Sequence, residues 1–313
     1  ASGSAVTFDY QTVDGTATAP GGDYAAAAGS GTIAAGALQT TVQVAVAGDV
    51  WIEGDETFDL RISNLANADP LDTNGVCTIM NDDYPFVWTG AGGNGLASTT
   101  NNWRWHGLPA TRLPVATDSI VLDASSDSNM TWDAAATNIV ASWFQATNYT
   151  GTVTIATVYA SQGAFTNFLI TGDCVISNGV WTHATNPSGN TATYRLGVTV
   201  GGAFTLGPDA QVNVDSLGFQ AGCGPGAGTG DPRGPSHGGQ GGFQQSSTPA
   251  ATYGSAFQPT TLGSGGSTGG GGGPGGGAIQ LTVAGAAQID GSILARGGYR
   301  PATSDNRPGA GGS

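Results

Sequence analysis

Apolar and polar residues alternate in short runs over the first quarter of the chain. The runs are Val6-Thr7-Phe8-Asp9-Tyr10, Gly31-Thr32-Ile33, Thr41-Val42-Gln43-Val44-Ala45-Val46, Thr57-Phe58-Asp59-Leu60-Arg61-Ile62 and Val76-Cys77-Thr78-Ile79-Met80. A period of two puts alternate side chains on opposite faces, so each run predicts a strand with one buried face. Turn residues separate the runs at the spacing of an antiparallel sandwich. Further along, the pattern repeats itself. Phe168, Ile170, Cys174 and Ile176 have the same spacing as Val198, Val200, Phe204 and Leu206, and again as Leu281, Val283, Ala287 and Ile289. Each two-residue step is one face of a strand, and the four-residue gap around Gly-Asp, Gly-Gly or Gly-Ala is a turn. Recurrence at a fixed pattern predicts stacked rungs, a β-solenoid over residues 124–313. Its interior is expected to hold Phe168, Ile170, Val198, Val200, Phe204, Leu206, Leu281, Val283 and Ile289.

Composition sharpens the all-β reading. Charged residues are 10% of the chain, all 8 basic residues are arginine, and only Glu53 and Glu56 are glutamate. Long helices seldom form without Lys and Glu, so strands and turns carry the fold. The net charge of -14 makes nucleic acid an unsuitable partner. No apolar run is long enough for a membrane helix, and no basic-then-apolar leader opens the sequence, which reads as a mature chain or a piece of a longer one. Residues 218–313 hold 30 of the 54 glycines, most of them in an excursion at about 221–277 that lies between matched rungs. Phe243, Tyr253 and Phe257 within it are more than a spacer needs, so the excursion is expected to pack backbone against backbone in polyproline-II-like strands.

Five ordered motifs give residues 1–84 a resemblance to Calx-beta domains. They are Asp14-Gly15-Thr16-Ala17, Gly22-Asp23-Tyr24, Glu53-Gly54-Asp55-Glu56-Thr57-Phe58, Leu60-Arg61-Ile62-Ser63-Asn64 and Ile79-Met80-Asn81-Asp82-Asp83. The resemblance implies an immunoglobulin-like sandwich, and it implies a further strand ahead of Val6–Tyr10 that this chain lacks. It also implies a Ca2+ site, because carboxylates from these turns gather at one end of the sandwich. The matching positions are Asp14, Glu53, Asp82 and Asp83, with Asp49 nearby; oxygen-only ligands suit a hard cation. Residues 85–123, with Trp88-Thr89-Gly90, Asn101-Asn102-Trp103, Pro114 and Asp118, resemble the Trp-rich opening of secreted bacterial β-solenoid and autotransporter-like proteins. Large aromatics there can cover the first apolar rung.

Other candidate chemistry is thin. Cys77, Cys174 and Cys223 have no metal-ligand spacing, and Cys174 falls at an interior position of the repeat. His106, His183 and His237 have no nearby second ligand, which predicts surface or hydrogen-bonding roles. Asp209 and Asp215 are the only carboxylates to consider for polysaccharide hydrolysis, and both sit beside turns, so no enzyme is expected. The function predicted is mechanical: an extracellular, cell-surface structural subunit that polymerises with itself head to tail, a neighbour supplying the missing strand beside Val6–Tyr10. The alternative is that preceding residues of a longer chain supply it. A second class of function, an adhesin or carbohydrate-binding protein for surface glycans, would use Trp103, Trp105 and Trp181 as stacking platforms.

Overall fold

The computed structural model describes residues 2–48, 54–81, 84–126, 128–228, 234–242, 248–255, 260–267 and 272–298. These residues divide into two compact units that meet in sequence at Tyr84 and Pro85.

The first unit holds β1 (Val6–Asp14), β2 (Ala28–Ile33), β3 (Glu56–Ala66) and β4 (Asn74–Ile79) in one antiparallel sheet, ordered β2-β1-β3-β4. The register sets Tyr10 beside Ile62, Asp14 beside Phe58, and Phe58 beside Cys77. Phe8, Tyr10, Phe58, Leu60, Ile62, Cys77 and Ile79 therefore share one face. Phe8 and Tyr10 lie across Gly31 and Gly29 of β2, and a Cβ at Gly31 would come within 2.3 Å of the Phe8 ring. Over this face the buried core consists of Ala17, Tyr24 and Phe58, with Val44, Cys77 and Ile79 only partly covered. Tyr24 stacks on Phe58 at 4.2 Å.

Two expectations are corrected here. Thr41 to Val46 is not a strand: among the described residues its backbone pairing is one bridge, Tyr24 to Val46, closed by Ala25 N–H to Ala45 O and Ala47 N–H to Asp23 O. A strand needs a ladder partner for its alternating N–H and C=O groups, and this segment has none among the described residues. The vacant position is also not beside Val6–Tyr10, because β1 is flanked by β2 and β3 of its own chain. Among the described residues, what is incomplete is the layer opposite the sheet, where Val46 is exposed and Val42 and Val44 are half-buried.

The second unit is built of parallel ladders. It opens with β5 (Phe86–Trp88), then a 3-10 turn at Thr100–Asn102, β6 (Trp103–Trp105) and β7 (Leu108–Pro109), which fold back antiparallel on β5. There follow β8 (Ser119–Leu122), β9 (Met130–Trp132), β10 (Ile139–Val140), β11 (Ser142–Gln145) and β12 (Thr152–Ile155). Then come β13 (Phe168–Ile170), β14 (Cys174–Thr182), β15 (Leu196–Val200), β16 (Phe204–Asn213), β17 (Ile279–Val283), β18 (Ala287–Ile289) and β19 (Ser292–Leu294). One ladder runs β10-β13-β15-β17, a second β5-β8-β11-β14-β16-β18, and a third joins β9, β12, β14, β16 and β19.

The repeated spacing is the register itself. Phe168 pairs with Val198 and Val198 with Leu281; Cys174 pairs with Phe204 and Phe204 with Ala287. Phe168, Ile170, Val198, Val200, Phe204 and Leu206 are buried in one core. Leu281 and Val283 are only partly covered, and Ile289, expected inside, is 49% exposed. These three lie on β17 and β18, which among the described residues are paired on one side only.

Tryptophans fill the other end. Trp88, Trp103, Trp132, Trp143 and Trp181 are fully buried and touch in sequence edge to face at 5.1, 5.9, 5.6 and 5.3 Å. Their quadrupoles favour this arrangement. Arg112 covers the rings of Phe86 and Trp105 at 4.6 and 4.3 Å and is held there by Asp118.

The described residues of the glycine-rich excursion include closely packed segments. Gly218 N–H bonds to Gly275 O, Gly275 N–H to Phe219 O, Phe219 N–H to Gly263 O and Gly263 N–H to Gly276 O, tying three segments together through their backbones. Leu262 to Ser267 are all buried. A Cβ at Gly275 would lie 1.9 Å from Gly263 O, so absence of a side chain is what lets the segments meet.

Candidate functional site

Asp14 is the last residue of β1, where the strand gives way to the Gly15-Thr16-Ala17 turn. Its Oδ1 accepts hydrogen bonds from the Tyr24 hydroxyl at 2.6 Å and from Ala19 N–H at 2.9 Å. The Tyr24 bond first, then the Ala19 bond, hold its carboxyl below the usual range, so it is charged at neutral pH. The turn leans on the start of β3: Thr57 N–H donates to Thr16 Oγ1 at 2.8 Å, and Ala17 N–H to Thr57 O at 3.0 Å. The start of β3 is in turn tied to the end of β4, because Asn81 N–H donates to Asp55 Oδ1 at 3.0 Å and Glu56 pairs with Ile79. Hydrogen bonds thus bring the three acid-bearing segments to one end of the sheet.

Of the five residues singled out for metal binding, Asp14 stands at this end. Asp49, Glu53, Asp82 and Asp83 lie outside the described residues. Asp55, passed over in the sequence reading although it sits in the same acidic loop, is the carboxylate that links that loop to Asn81. Among the described residues no three His, Cys, Asp or Glu side chains form a metal cluster. The donors at hand are carboxylate and hydroxyl oxygens, which fits a hard cation such as Ca2+ and no softer one.

The aromatic platforms expected for glycans are corrected. Trp103 and Trp181 are each 1% exposed, with their indole N–H groups donating to Ala97 O and Gln145 Oε1. Trp105 is half-buried between Phe86 and Arg112. Interior positions of the stack need large apolar volume, which is the demand these residues meet.

The remaining polar candidates have structural work. His183 is buried, its Nδ1 2.8 Å from Ala184 O. His237 lies 2.8 Å from Thr261 Oγ1 and edge-on to Tyr253. His106 packs edge-on to Trp105. Cys174 is buried, and that burial pushes its thiol well above the ordinary value. Cys77 and Cys223 are each half-buried against small cores. Asp215 is paired with Arg296 and also accepts the Arg296 N–H, while Asp209 is exposed on β16.

One concavity borders the first unit's sheet, a groove of about 240 Å³ lined by Ser2, Val6, Ile33, Ala37, Leu38 and Asn67. Leu38 stands 82% exposed at its rim. No motif marks it in the sequence, because its walls come from segments that only the sheet register brings together.

A search of curated proteins returned no match. Among solved structures, the calcium binding domain CBD12 of CALX1.1 is similar at 25% identity, with a TM-score of 0.25, over 27% of this chain and 36% of that one. The chain thus spans about a third of that relative's length. Residues 1–83 match the Calx-beta family along the whole of the first unit's sheet, its DGTA turn and its acidic loop. This part of the chain is a Calx-beta domain.

Proposed function

We propose that the protein is an extracellular structural subunit of a bacterial surface filament, in which copies join head to tail and the Calx-beta unit is completed by another copy. The observation that carries this reading is the unfinished layer over the sheet formed by β1 to β4. One apolar face, from Phe8 across to Ile79, is roofed among the described residues by little more than Ala17, Tyr24 and Val44. Thr41 to Val46 runs over it without a ladder partner. Exposed apolar surface and unpaired strand groups together invite an incoming strand, and a contact between unlike surfaces repeats into a fibre. The parallel stack of the second unit, with its tryptophan interior and glycine bundle, supplies a rigid body for such a fibre. Ca2+, held by Asp14 together with Asp49, Glu53, Asp82 and Asp83, would neutralise the repulsion among these acids at the end of the Calx-beta unit. The test is assembly of the full chain, purified as monomer, followed by sedimentation and negative-stain electron microscopy. Filaments that grow without any added ligand are expected. A chain that remains monomeric at high concentration, with and without Ca2+, would refute the reading.

A further inference from the structure

Three Asn-x-Ser/Thr triplets occur in the chain: Asn129-Met130-Thr131, Asn148-Tyr149-Thr150 and Asn186-Pro187-Ser188. Such a triplet accepts an N-linked sugar only when its middle residue is not proline. The structure divides the three along the same line. Asn186, the one that proline excludes, is buried, and the fold uses its whole amide: Nδ2 donates to Tyr194 O and Leu217 O, and Oδ1 accepts from Thr193 and Tyr194 N–H. Asn129 and Asn148 are exposed. In both of these triplets the middle residue is the anchor. Met130 is 1% and Tyr149 0% exposed, while Thr150 is exposed and Thr131 half-buried.

The two exposed triplets sit in neighbouring connections. One lies between β8 and β9, the other between β11 and β12, and β8 pairs with β11 as β9 does with β12. Thr152 N–H donates to Asn129 Oδ1 at 2.9 Å, and the Tyr149 hydroxyl to Ser128 O at 2.9 Å, which stacks one connection on the other. Tyr149 N–H bonds to Ala146 O at 3.2 Å and closes a turn with Thr147 and Asn148 at its tip. Among the described residues the Asn148 side chain has no hydrogen-bond partner. At Asn129 the bond to Thr152 is made by Oδ1, which leaves Nδ2 to carry a substituent. We infer that Asn148 and Asn129 are acceptors of N-linked sugars, which the stack carries side by side on this edge. The step is a substitution at the anomeric carbon of a sugar activated as a diphosphate ester. Nδ2 forms the new C–N bond, the C–O bond to the diphosphate breaks, and Nδ2 gives up one proton. Because Met130 and Tyr149 are core residues, transfer precedes closure of these rungs, and the finished fold leaves both sugars in solvent. Strands of adjacent rungs lie about 4.8 Å apart, so two bulky, soluble groups there close this edge to lateral contact. The inference rests on the extracellular reading above, which sets the compartment.

The test is tandem mass spectrometry of the full chain purified from the cells that make it, after surface and cytosolic fractions are separated. Peptides holding Asn148 and Asn129 are expected to be heavier than their sequences by at least one sugar residue. Asn148→Gln and Asn129→Gln are each expected to lose the shift at their own site. Thr150→Ala keeps Asn148 but removes the hydroxyl of its triplet, and is expected to abolish the Asn148 shift, whereas Thr150→Ser retains it. Asn148 and Thr150 are exposed, so the thermal melts of these variants without sugar should match that of the unmodified chain. A chain at the cell surface with a bare Asn148 would overturn the inference and leave the filament standing. A bare Asn129 beside a modified Asn148 would overturn its second half. Recovery of the chain from the cytosol alone, bare at both positions, would overturn the extracellular reading together with the inference.

Discussion

At the scale of single residues, His183 shows how the stack uses polar atoms. It follows β14 at 1% exposure, and its Nε2 lies 3.4 Å from the Ala278 N–H that leads into β17. The neutral ring can donate from Nδ1 to Ala184 O and accept at Nε2, so both nitrogens are used. Protonation would set a second donor against Ala278 N–H. Desolvation pushes the group down to about 4, outweighing the Ala184 bond that raises it. The unfolded ring binds its proton near 6.5, so stability is complete above that pH and is lost as pH falls toward 4. The full span amounts to about 3 kcal/mol. Thermal melts of the second unit between pH 7.5 and 4.5 are expected to show a loss of several degrees that is shallower in His183→Gln. Parallel curves for the two proteins would mean that His183 does not titrate in this way. Nothing in the sequence marked His183 as buried, since a lone histidine after a strand has no partner within reach of a motif. Its neighbour Gly277 holds the same information structurally: a Cβ there would come 2.2 Å from Nε2.

Elements were legible where their partners are local or repeated, and illegible where the partner decides. The spacing shared by Phe168, Val198 and Leu281 is the ladder register, because strands paired in parallel and in register carry the same pattern of inward positions. Thr41–Val46 has as good a strand pattern as β1, yet pattern alone does not pair a strand. Ile289 matches Leu206 in spacing, but among the described residues β18 has a partner on one side only, so the same chemistry gives 49% exposure instead of burial. Glycine is the converse case, since composition suggested close packing but could not say which glycines require it. Gly275 does: its Cβ would strike Gly263 O and C at 1.9 and 2.2 Å. Gly242 has open space around it. Gly275→Ala is therefore expected to cost about 1–3 kcal/mol or more and to raise amide exchange at Gly218, Phe219 and Gly263. Gly242→Ala should leave both unchanged. Equal exchange in the two variants would show that the three glycine segments are not held by direct backbone contact.

At the scale of the whole molecule, the two units differ in how much of their stability they own. The second has a continuous core from Phe86 to Val214 and needs no partner to bury it. The first buries Ala17, Tyr24 and Phe58 in its core and leaves Leu38 and Val46 exposed. Apolar burial at about 25 cal/mol per Å² is the main favourable term in folding, so a layer that is missing cannot be offset by the hydrogen bonds of the sheet alone. Stability of this unit should then come from what binds it, and ligand or neighbour bound only to the folded form stabilises by mass action, about 2.7 kcal/mol at a hundredfold excess over the dissociation constant. Differential scanning calorimetry of the full chain is expected to show two transitions. The lower one, from residues 1–84, should rise with protein concentration and with millimolar Ca2+, and fall with chelator. The upper one should respond to neither. A lower transition indifferent to concentration would mean that the Calx-beta unit stands alone with its open layer. Indifference to Ca2+ would leave Asp14 with only Tyr24 and Ala19 to serve, as a turn-forming carboxylate at the end of β1.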